Sequence, residues 1–256
     1  MTSPSVLKLR HIFDMSPEDE RLLDGIAARK VELPKGADFV VQGESDEAAY
    51  VMLAGWALRH RQLADGRRQI LNFLLPGDWA GLTTILFSTA DHSVTAVTPI
   101  VVAPVSHADM TGLFRDHGRL ALAIYWTAAQ EEAVVAEHLV DVGRRNAYER
   151  LGHLFFETVL RLEAVSQAGD DGTFDFPLNQ MALADALGLS HVHVNRTLKR
   201  LRREGLVEIE GRKARVLDRN KLEQAAHFES TYLHLGGEPA WLRRRFARSA
   251  RPGNQG

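Results

Sequence analysis

The sequence predicts an α+β protein: an N-terminal antiparallel all-β sandwich or barrel, one long helix, and a C-terminal winged helix-turn-helix. Three observations predict it. Between Val31 and Val105, glycines recur at Gly36, Gly43, Gly55, Gly66 and Gly77, at spacings of 7, 12, 11 and 11. From Arg119 to Asp141 the chain holds neither proline nor glycine. Residues 177–217 read as two short helices about a glycine turn, followed by a strand pair. A chain of 256 residues suits about two domains.

Composition narrows the chemistry before any motif is read. Apolar residues make up 45% and charged residues 25%, the balance of a globular chain. The cysteine count is zero, which excludes disulfides, thiolate-held zinc, a cysteine-ligated iron–sulfur cluster and a cysteine nucleophile. The first twenty residues lack the apolar core of a secretory signal, and no run approaches 18 apolar residues. A soluble cytoplasmic protein with no membrane partner is expected.

Taken in order, the β-region alternates glycine turns with β-rich runs such as Asp38-Phe39-Val40-Val41, Tyr50-Val51-Met52-Leu53, Gln69-Ile70-Leu71-Asn72-Phe73 and Val97 to Val102. Asp65-Gly66 reads as a two-residue type I′ hairpin turn, and Pro76-Gly77-Asp78 as a second turn. A short helical patch follows over 107–118. The next helix spans about 23 residues, roughly 35 Å, more than a small β-domain needs for its own packing. Its apolar stripe is Leu120, Ile124, Val134/Val135, Leu139 and Val142, with Glu131, Glu132, Glu137 and Asp141 outside it. Such a helix either crosses its own domain or pairs with a second copy, and its length and narrow stripe favour pairing. Another helix runs from about Arg144 to Val165, with Leu151, Leu154, Phe155, Val159 and Leu162 on its apolar face, before the polar loop 167–172.

The net charge of −2 conceals a division. Residues 1–142 carry 12 basic and 19 acidic side chains, a net of −7, while residues 143–256 carry 19 and 14, a net of +5. Nine of those basic residues fall within 190–219. Asymmetry of this kind points to a polyanionic partner for the basic half.

That half also holds the informative motif. Asn179 suits an N-cap for a helix over Gln180–Leu187, Gly188 supplies a left-handed turn, and Ser190 caps a second helix over His191–Arg203. On the second helix Val194, Leu198 and Leu201 recur at i, i+4 and i+7 and must pack inward. Val192, Arg196, Lys199 and Arg203 lie roughly opposite, with His193 and Asn195 on the flanks. A helix laid in the major groove of duplex DNA presents its N-terminal residues to base edges; arginine suits guanine O6/N7 and asparagine suits adenine N6/N7. The strand pair Leu206–Ile209 and Ala214–Leu217 forms a wing with Arg212 and Lys213 at its tip. His191 and His193 do not make a metal site, because residues i and i+2 on a helix point about 200° apart, and the remaining histidines stand isolated.

The β-roll with Lys35-Gly36, Gly43-Glu44, Tyr50, Gly55, Gly66 and Leu75-Pro76-Gly77-Asp78, followed by a long helix and a winged helix-turn-helix, resembles the cyclic-AMP receptor/Fnr (Crp/Fnr) family of bacterial transcription regulators. The resemblance spans about residues 9–220 and is most specific over 183–190 and 195–201. It implies a cyclic-nucleotide-binding-domain-like jelly roll and a homodimer joined by the long helix. It further implies a palindromic DNA site with half-site centres about 34 Å apart, and contact with RNA polymerase if the protein activates. It places base contacts on His191, Val192 and Arg196, with Asn195 beside them. Val192 stands where the family usually has a glutamate, so the half-site should differ from the best-known ones. Asn179, Gln180 and Ser190 match phosphate-anchoring positions, while His193, Lys199, Arg200, Arg212 and Lys213 complete the expected DNA surface. The sensory side departs from the family. The nucleotide cassette expects Gly-Glu and Arg-Ser or Arg-Thr, and this chain has Gly81-Leu82 and His92-Ser93. Val135 and Ala136 replace polar base contacts on the long helix. A degenerate effector pocket with no cofactor, neither cyclic AMP nor an iron–sulfur cluster, is expected.

The expected organisation is a sensor-like β-roll over 1–118, a dimerisation helix over 119–142, the winged helix-turn-helix over 143–219, and a C-terminal helix and basic tail over 220–256. The rival from another class is a small-molecule-binding β-roll module, or a cupin-like enzyme, whose C-terminal helices mediate protein contacts. It requires convergent histidines or acids inside the roll, which the β-region lacks. The tail residues Arg243, Arg244, Arg245, Arg248 and Arg251 either add non-specific DNA affinity or form a solvated end.

Overall fold

The computed structural model describes residues 2–237 other than 46, 47 and 88. The tail arginines lie outside the described residues. The glycine-punctuated region folds as two four-stranded antiparallel sheets. One, in the order β1-β8-β3-β6, contains β1 (Val31–Leu33), β3 (Ala48–Ala54), β6 (Trp79–Ala80) and β8 (Ile100–Ser106). The other, β2-β7-β4-β5, contains β2 (Asp38–Val40), β4 (Ala57–Gln62), β5 (Arg68–Leu74) and β7 (Ser93–Ala96). Between them lies a core that includes Val40, Met52, Leu74, Val94, Ile100 and Val102. Gly55 carries the chain from one sheet to the other at φ +81°, where an added Cβ would lie 2.4 Å from the Pro99 carbonyl oxygen, so only glycine fits.

The β4–β5 hairpin differs from the expected type I′ turn. Leu63 N donates to Arg67 O, Gly66 N donates to Leu63 O, and the positive φ falls on Gly66 but not on Asp65. This is an ordinary turn closed by a positive-φ glycine, the longer hairpin solution, in which Asp65 keeps negative φ and caps Arg67 N with its side chain.

Two N-terminal helices, α1 (Pro4–Arg10) and α2 (Pro17–Ala27), pack on the outer face of the first sheet together with α3 (His107–Asp116). Reciprocal Ser16/Asp19 and Ser106/Asp109 capping boxes begin α2 and α3. The long helix α4 runs from Gly118 to Arg144, 27 residues or about 40 Å, slightly beyond the glycine-free stretch at both ends. The stripe read from the sequence divides in three dimensions. Leu120 and Ile124 are buried in the chain's own core, as is Val134, whereas Leu139 is 73% exposed. Exposed residues on α4 instead recur as Tyr125, Ala129, Glu132, Ala136 and Leu139, alternating four and three apart.

An Asn146/Glu149 capping box opens α5 (Ala147–Glu163). The short strand β9 (Thr173–Asp175), not foreseen in the sequence, pairs with the wing to make the three-stranded sheet β10-β11-β9. The helix-turn-helix is α6 (Gln180–Leu187) and α7 (His191–Arg203); the wing is β10 (Val207–Glu210) and β11 (Lys213–Val216), shifted by one residue at most ends from the expected strands. Helix α8 (Arg219–Ala226) closes against α5 through Gly152, where a Cβ would meet Ala226 and Leu222 at 3.2 and 3.3 Å. The C-terminal core, centred on Phe155, Phe174 and Phe176, extends without a break to Trp56, Leu58, Ile70 and Phe73 of the β-roll.

A chain of buried charges ties these parts together. Asp78 accepts from Leu75 N, Lys8 of α1 and Arg161 of α5, each at 2.7 Å. Arg161 also donates to Glu157 (2.8 Å) and to the Phe73 carbonyl (2.9 Å). Burial works against the Asp78 charge, but Lys8 and Arg161 outweigh it and hold the carboxyl below its usual range. Removing the acceptor leaves the largely buried Lys8 without its partner and Arg161 with Glu157 alone. Asp78→Ala is therefore expected to cost about 3–5 kcal/mol in urea unfolding; a loss below about 1 kcal/mol would mean that the cations reach water instead.

Candidate nucleic-acid interface

The two helices of the motif form where their caps place them. Asn179 Oδ1 accepts from Ala182 N at 2.8 Å, Gly188 adopts φ +62°, and Ser190 Oγ accepts from His193 N at 3.3 Å. The last carbonyls of α6 are taken by neighbours. Arg150 donates to Leu187 O (2.7 Å) and Gln69 of β5 to Ala186 O (3.1 Å). Arg68 adds two hydrogen bonds to Asp185 Oδ2 at 2.7 and 3.0 Å. The first helix of the motif is thus seated on the β4–β5 hairpin.

On α7, Val194, Thr197, Leu198 and Leu201 are buried, while His191, Val192, His193, Arg196, Lys199, Arg200 and Arg203 are exposed. Gln180, His191, Val192, Asn195, Arg196 and Lys199 line one open depression of about 510 Å³. Val192, 65% exposed, sits among donors without a polar role of its own. Among the described residues, Arg196 and Lys199 enter no ion pair, so their charges stand available to an incoming anion.

The other expected basic residues are held differently. Arg200 donates to Glu204 (2.8 Å) and stacks over the Tyr148 ring at 4.0 Å, while Tyr148 OH also donates to Glu204. Burial and the Glu204 carboxylate push the Tyr148 phenol up to about 12, so it remains a donor. Lys213 reaches Asp175 of β9 at 2.7 Å, and Arg212 is exposed at the wing turn. Arg202 donates to Ile209 O and braces the wing. The Tyr148–Glu204 and Asp175–Lys213 contacts have no signature in the sequence, because they span 56 and 38 residues of chain; the Arg200–Glu204 pair, four residues apart, does.

The cassette residues do not converge on an open polar pocket. Leu82 is buried in the cluster with Trp79 and Ile85 on the outer side of the first sheet, not in the roll interior. His92 Nδ1 meets Asp91 at 2.6 Å, its Nε2 is buried without a partner, and Ser93 Oγ accepts from Gln42 N. Burial and nearby Arg59 lower the His92 pKa against the pull of Asp91, which keeps the ring neutral. Between the roll and α4, Arg59 donates to Asn72 (3.0 Å) and pairs with Glu131 (3.1 Å), to which Asn72 also donates. Side chains of the protein itself fill and neutralise that space. Among the described residues no His, Cys, Asp or Glu group has the arrangement of a metal site, and no helix is long and apolar enough to cross a membrane. Asn179→Ala is expected to cost about 1 kcal/mol of stability by thermal or urea unfolding, the usual loss of a cap; a null effect would assign Asn179 no role in holding α6.

Residues 30–117 match the cyclic nucleotide-binding domain family and residues 149–225 the Crp-like helix-turn-helix domain family, together well over half the chain. The nitrogen fixation regulation protein FixK of Bradyrhizobium diazoefficiens is 29% identical over 198 residues, covering 77% of this chain and 82% of that one. The transcriptional activatory protein AadR of Rhodopseudomonas palustris is 27% identical over 216 residues, covering 83% and 87%. The solved structure of FixK2 from Bradyrhizobium japonicum shares the fold, with a TM-score of 0.67 and 24% identity over 77% of this chain and 96% of that one.

Proposed function

We propose that this chain, which belongs to the Crp/Fnr family of transcription regulators, acts in the cytoplasm as a homodimer that reads a palindromic DNA site with one α7 in each half-site. The observation that carries this reading is the single depression that gathers Gln180, His191, Asn195, Arg196 and Lys199 at the N-terminal part of α7, with the Arg196 charge uncommitted. Arg196, Asn195 and His191 supply base-edge contacts; Val192 offers a methyl surface suited to thymine. Asn179, Gln180, Ser190 and His193 lie at or near helix N-termini that favour phosphate, and Lys199, Arg200, Arg212 and Lys213 add attraction along the backbone. Because Arg200 and Lys213 already hold internal carboxylates, their share is smaller than a count of positive charges suggests.

The exposed residues of α4 support the dimer. Tyr125, Ala129, Glu132, Ala136 and Leu139 follow the four-three alternation by which two helices pair, with Leu139 and Tyr125 73% and 63% exposed. Two-fold symmetry along such a helix places half-site centres about 34 Å apart. RNA polymerase is the further partner if the protein activates transcription, as the relative AadR, a transcriptional activatory protein, does.

The β-roll is proposed to lack cyclic-AMP control. The Arg59–Asn72–Glu131 set occupies the space facing α4, and His92 offers a neutral imidazole where a bidentate arginine would hold a phosphate.

In a gel-shift titration, Arg196→Ala is expected to cost about 1–3 kcal/mol on the cognate palindrome and to relax specificity at the base it reads. Equal losses on cognate and random DNA would assign Arg196 to the phosphates and overturn its reading role. Cyclic AMP is expected to leave the wild-type affinity within about twofold; tenfold tightening, about 1.4 kcal/mol, would overturn the degenerate-pocket reading.

A further inference from the structure

His138 stands where three parts of the fold meet. It belongs to α4, yet its Nδ1 lies 2.9 Å from the carbonyl oxygen of Leu71 in β5 and its Nε2 lies 2.9 Å from Glu157 Oε2 in α5. Both partners are acceptors only: a carbonyl, and a carboxylate that already takes Tyr232 OH on the same oxygen and Arg161 on the other. A neutral imidazole has one N–H. It satisfies one of these oxygens and turns a lone pair on the other, so the observed geometry requires the doubly protonated ring.

We propose that His138 is a proton-operated clasp: as an imidazolium it fastens the β-roll to the helix pair that carries the helix-turn-helix, and loss of its proton releases that seam.

The surroundings decide which way the clasp works. Glu157 and Arg161 of α5, Asp141 one turn along α4, and the Tyr232 hydroxyl near the C-terminal end of the described chain form the charged and polar shell. On the far side of Asp141, His153 of α5 lies 3.2 Å from its carboxylate, and Arg145 donates to the same residue. Burial disfavours charge on His138, but the Glu157 carboxylate, its hydrogen bond and the Leu71 carbonyl outweigh it and raise the ring above its ordinary value. Arg161 and His138 hold Glu157 ionised far below the usual carboxylate range despite its burial. The carboxylate is therefore fixed and the imidazole is the member that titrates.

An upward shift makes the clasp complete below about pH 6.5, the ordinary histidine value, and loses it as pH rises through the raised one. The void beside the ring, bordered by Leu71, Leu154 and Leu187, measures about 10 Å³. Asn72 and Asp141 also border it; at the lower limit for a single water, it leaves little room for solvent to replace the missing donor.

The first test needs no DNA. Long-range nitrogen–proton correlation spectra of the full chain, with the His138 ring assigned through its own Cβ and backbone resonances, are expected to show both ring nitrogens protonated at pH 7 and titrating above 6.5. Over the same range, amide exchange corrected for its intrinsic pH dependence is expected to accelerate in β5 and at the α4–α5 junction of the wild type. In His138→Gln, which cannot titrate, that acceleration should vanish. A neutral ring at pH 7, or protection independent of pH in the wild type, overturns the clasp; the wild-type spectra alone decide if the variant does not fold.

A second test rests on the DNA-binding reading. At constant salt, affinity for the palindrome is expected to fall about three- to tenfold from pH 6.5 to 8.5, as an unfastened seam no longer holds the reading heads in one arrangement. Titration of His138 with no such fall would overturn the link to DNA while leaving the clasp standing, whereas absence of DNA binding at every pH would overturn the proposed function and not the clasp.

Discussion

The fold depends on a line of alternating buried charges: Lys8, Asp78, Arg161, Glu157 and His138. No two neighbours in the line belong to the same element except Arg161 and Glu157, one turn apart on α5. Each ion alone would be costly to bury, and each is tolerated only because the next lies within about 3 Å. Such a line fixes relative position more than it adds stability, since a shift of any one element strands the charges on either side. It therefore sets where the N-terminal helix, the Leu75–Asp78 turn, the long helix and α5 stand with respect to one another.

Around that line one hydrophobic cluster spans the β-roll and the C-terminal half. Trp56 and Phe73 of the β-roll pack in the same cluster as Phe155 and Phe176, and Arg68 and Gln69 hold the end of α6. Helix α6, and with it the helix-turn-helix, is consequently placed by the β4–β5 hairpin as well as by α5. The β-roll is thus a platform on which the helix-turn-helix is oriented. Between the roll and α4, Arg59, Asn72 and Glu131 satisfy one another and join the platform to the long helix.

Helix α4 shows how one element meets two demands. Leu120, Ile124 and Val134 face the chain's own core, while Tyr125, Ala129, Ala136 and Leu139 form a separate exposed line. The two sequence interpretations of this helix, one intramolecular and one between copies, therefore concern different faces and do not compete. Neither face is fully apolar: Thr127, Gln130 and Asp141 are buried on one side, and Glu132 stands in the exposed line.

The local features were legible in the sequence because each rests on short-range physics. Glycines that permit positive φ mark the turns of the roll; Asn179, Gly188 and Ser190 delimit two helices through caps and a left-handed turn; Val194, Leu198 and Leu201 show which side of α7 is buried; and the lack of cysteine removes whole classes of cofactor chemistry. What only the tertiary structure decided is which distant groups meet: Asp78 with Arg161, Glu131 with Arg59, Arg200 with Tyr148 and Glu204, and His138 between Leu71 and Glu157. The helix period assigns a residue to a face but says nothing of what covers it. A charge that looks free in the sequence, such as Lys213, proves to be committed once a carboxylate from another element, here Asp175 of β9, is brought within 3 Å. Caps and periodicity act over a few residues and leave a trace in the order of amino acids, whereas an ion pair between elements leaves none until the chain has folded.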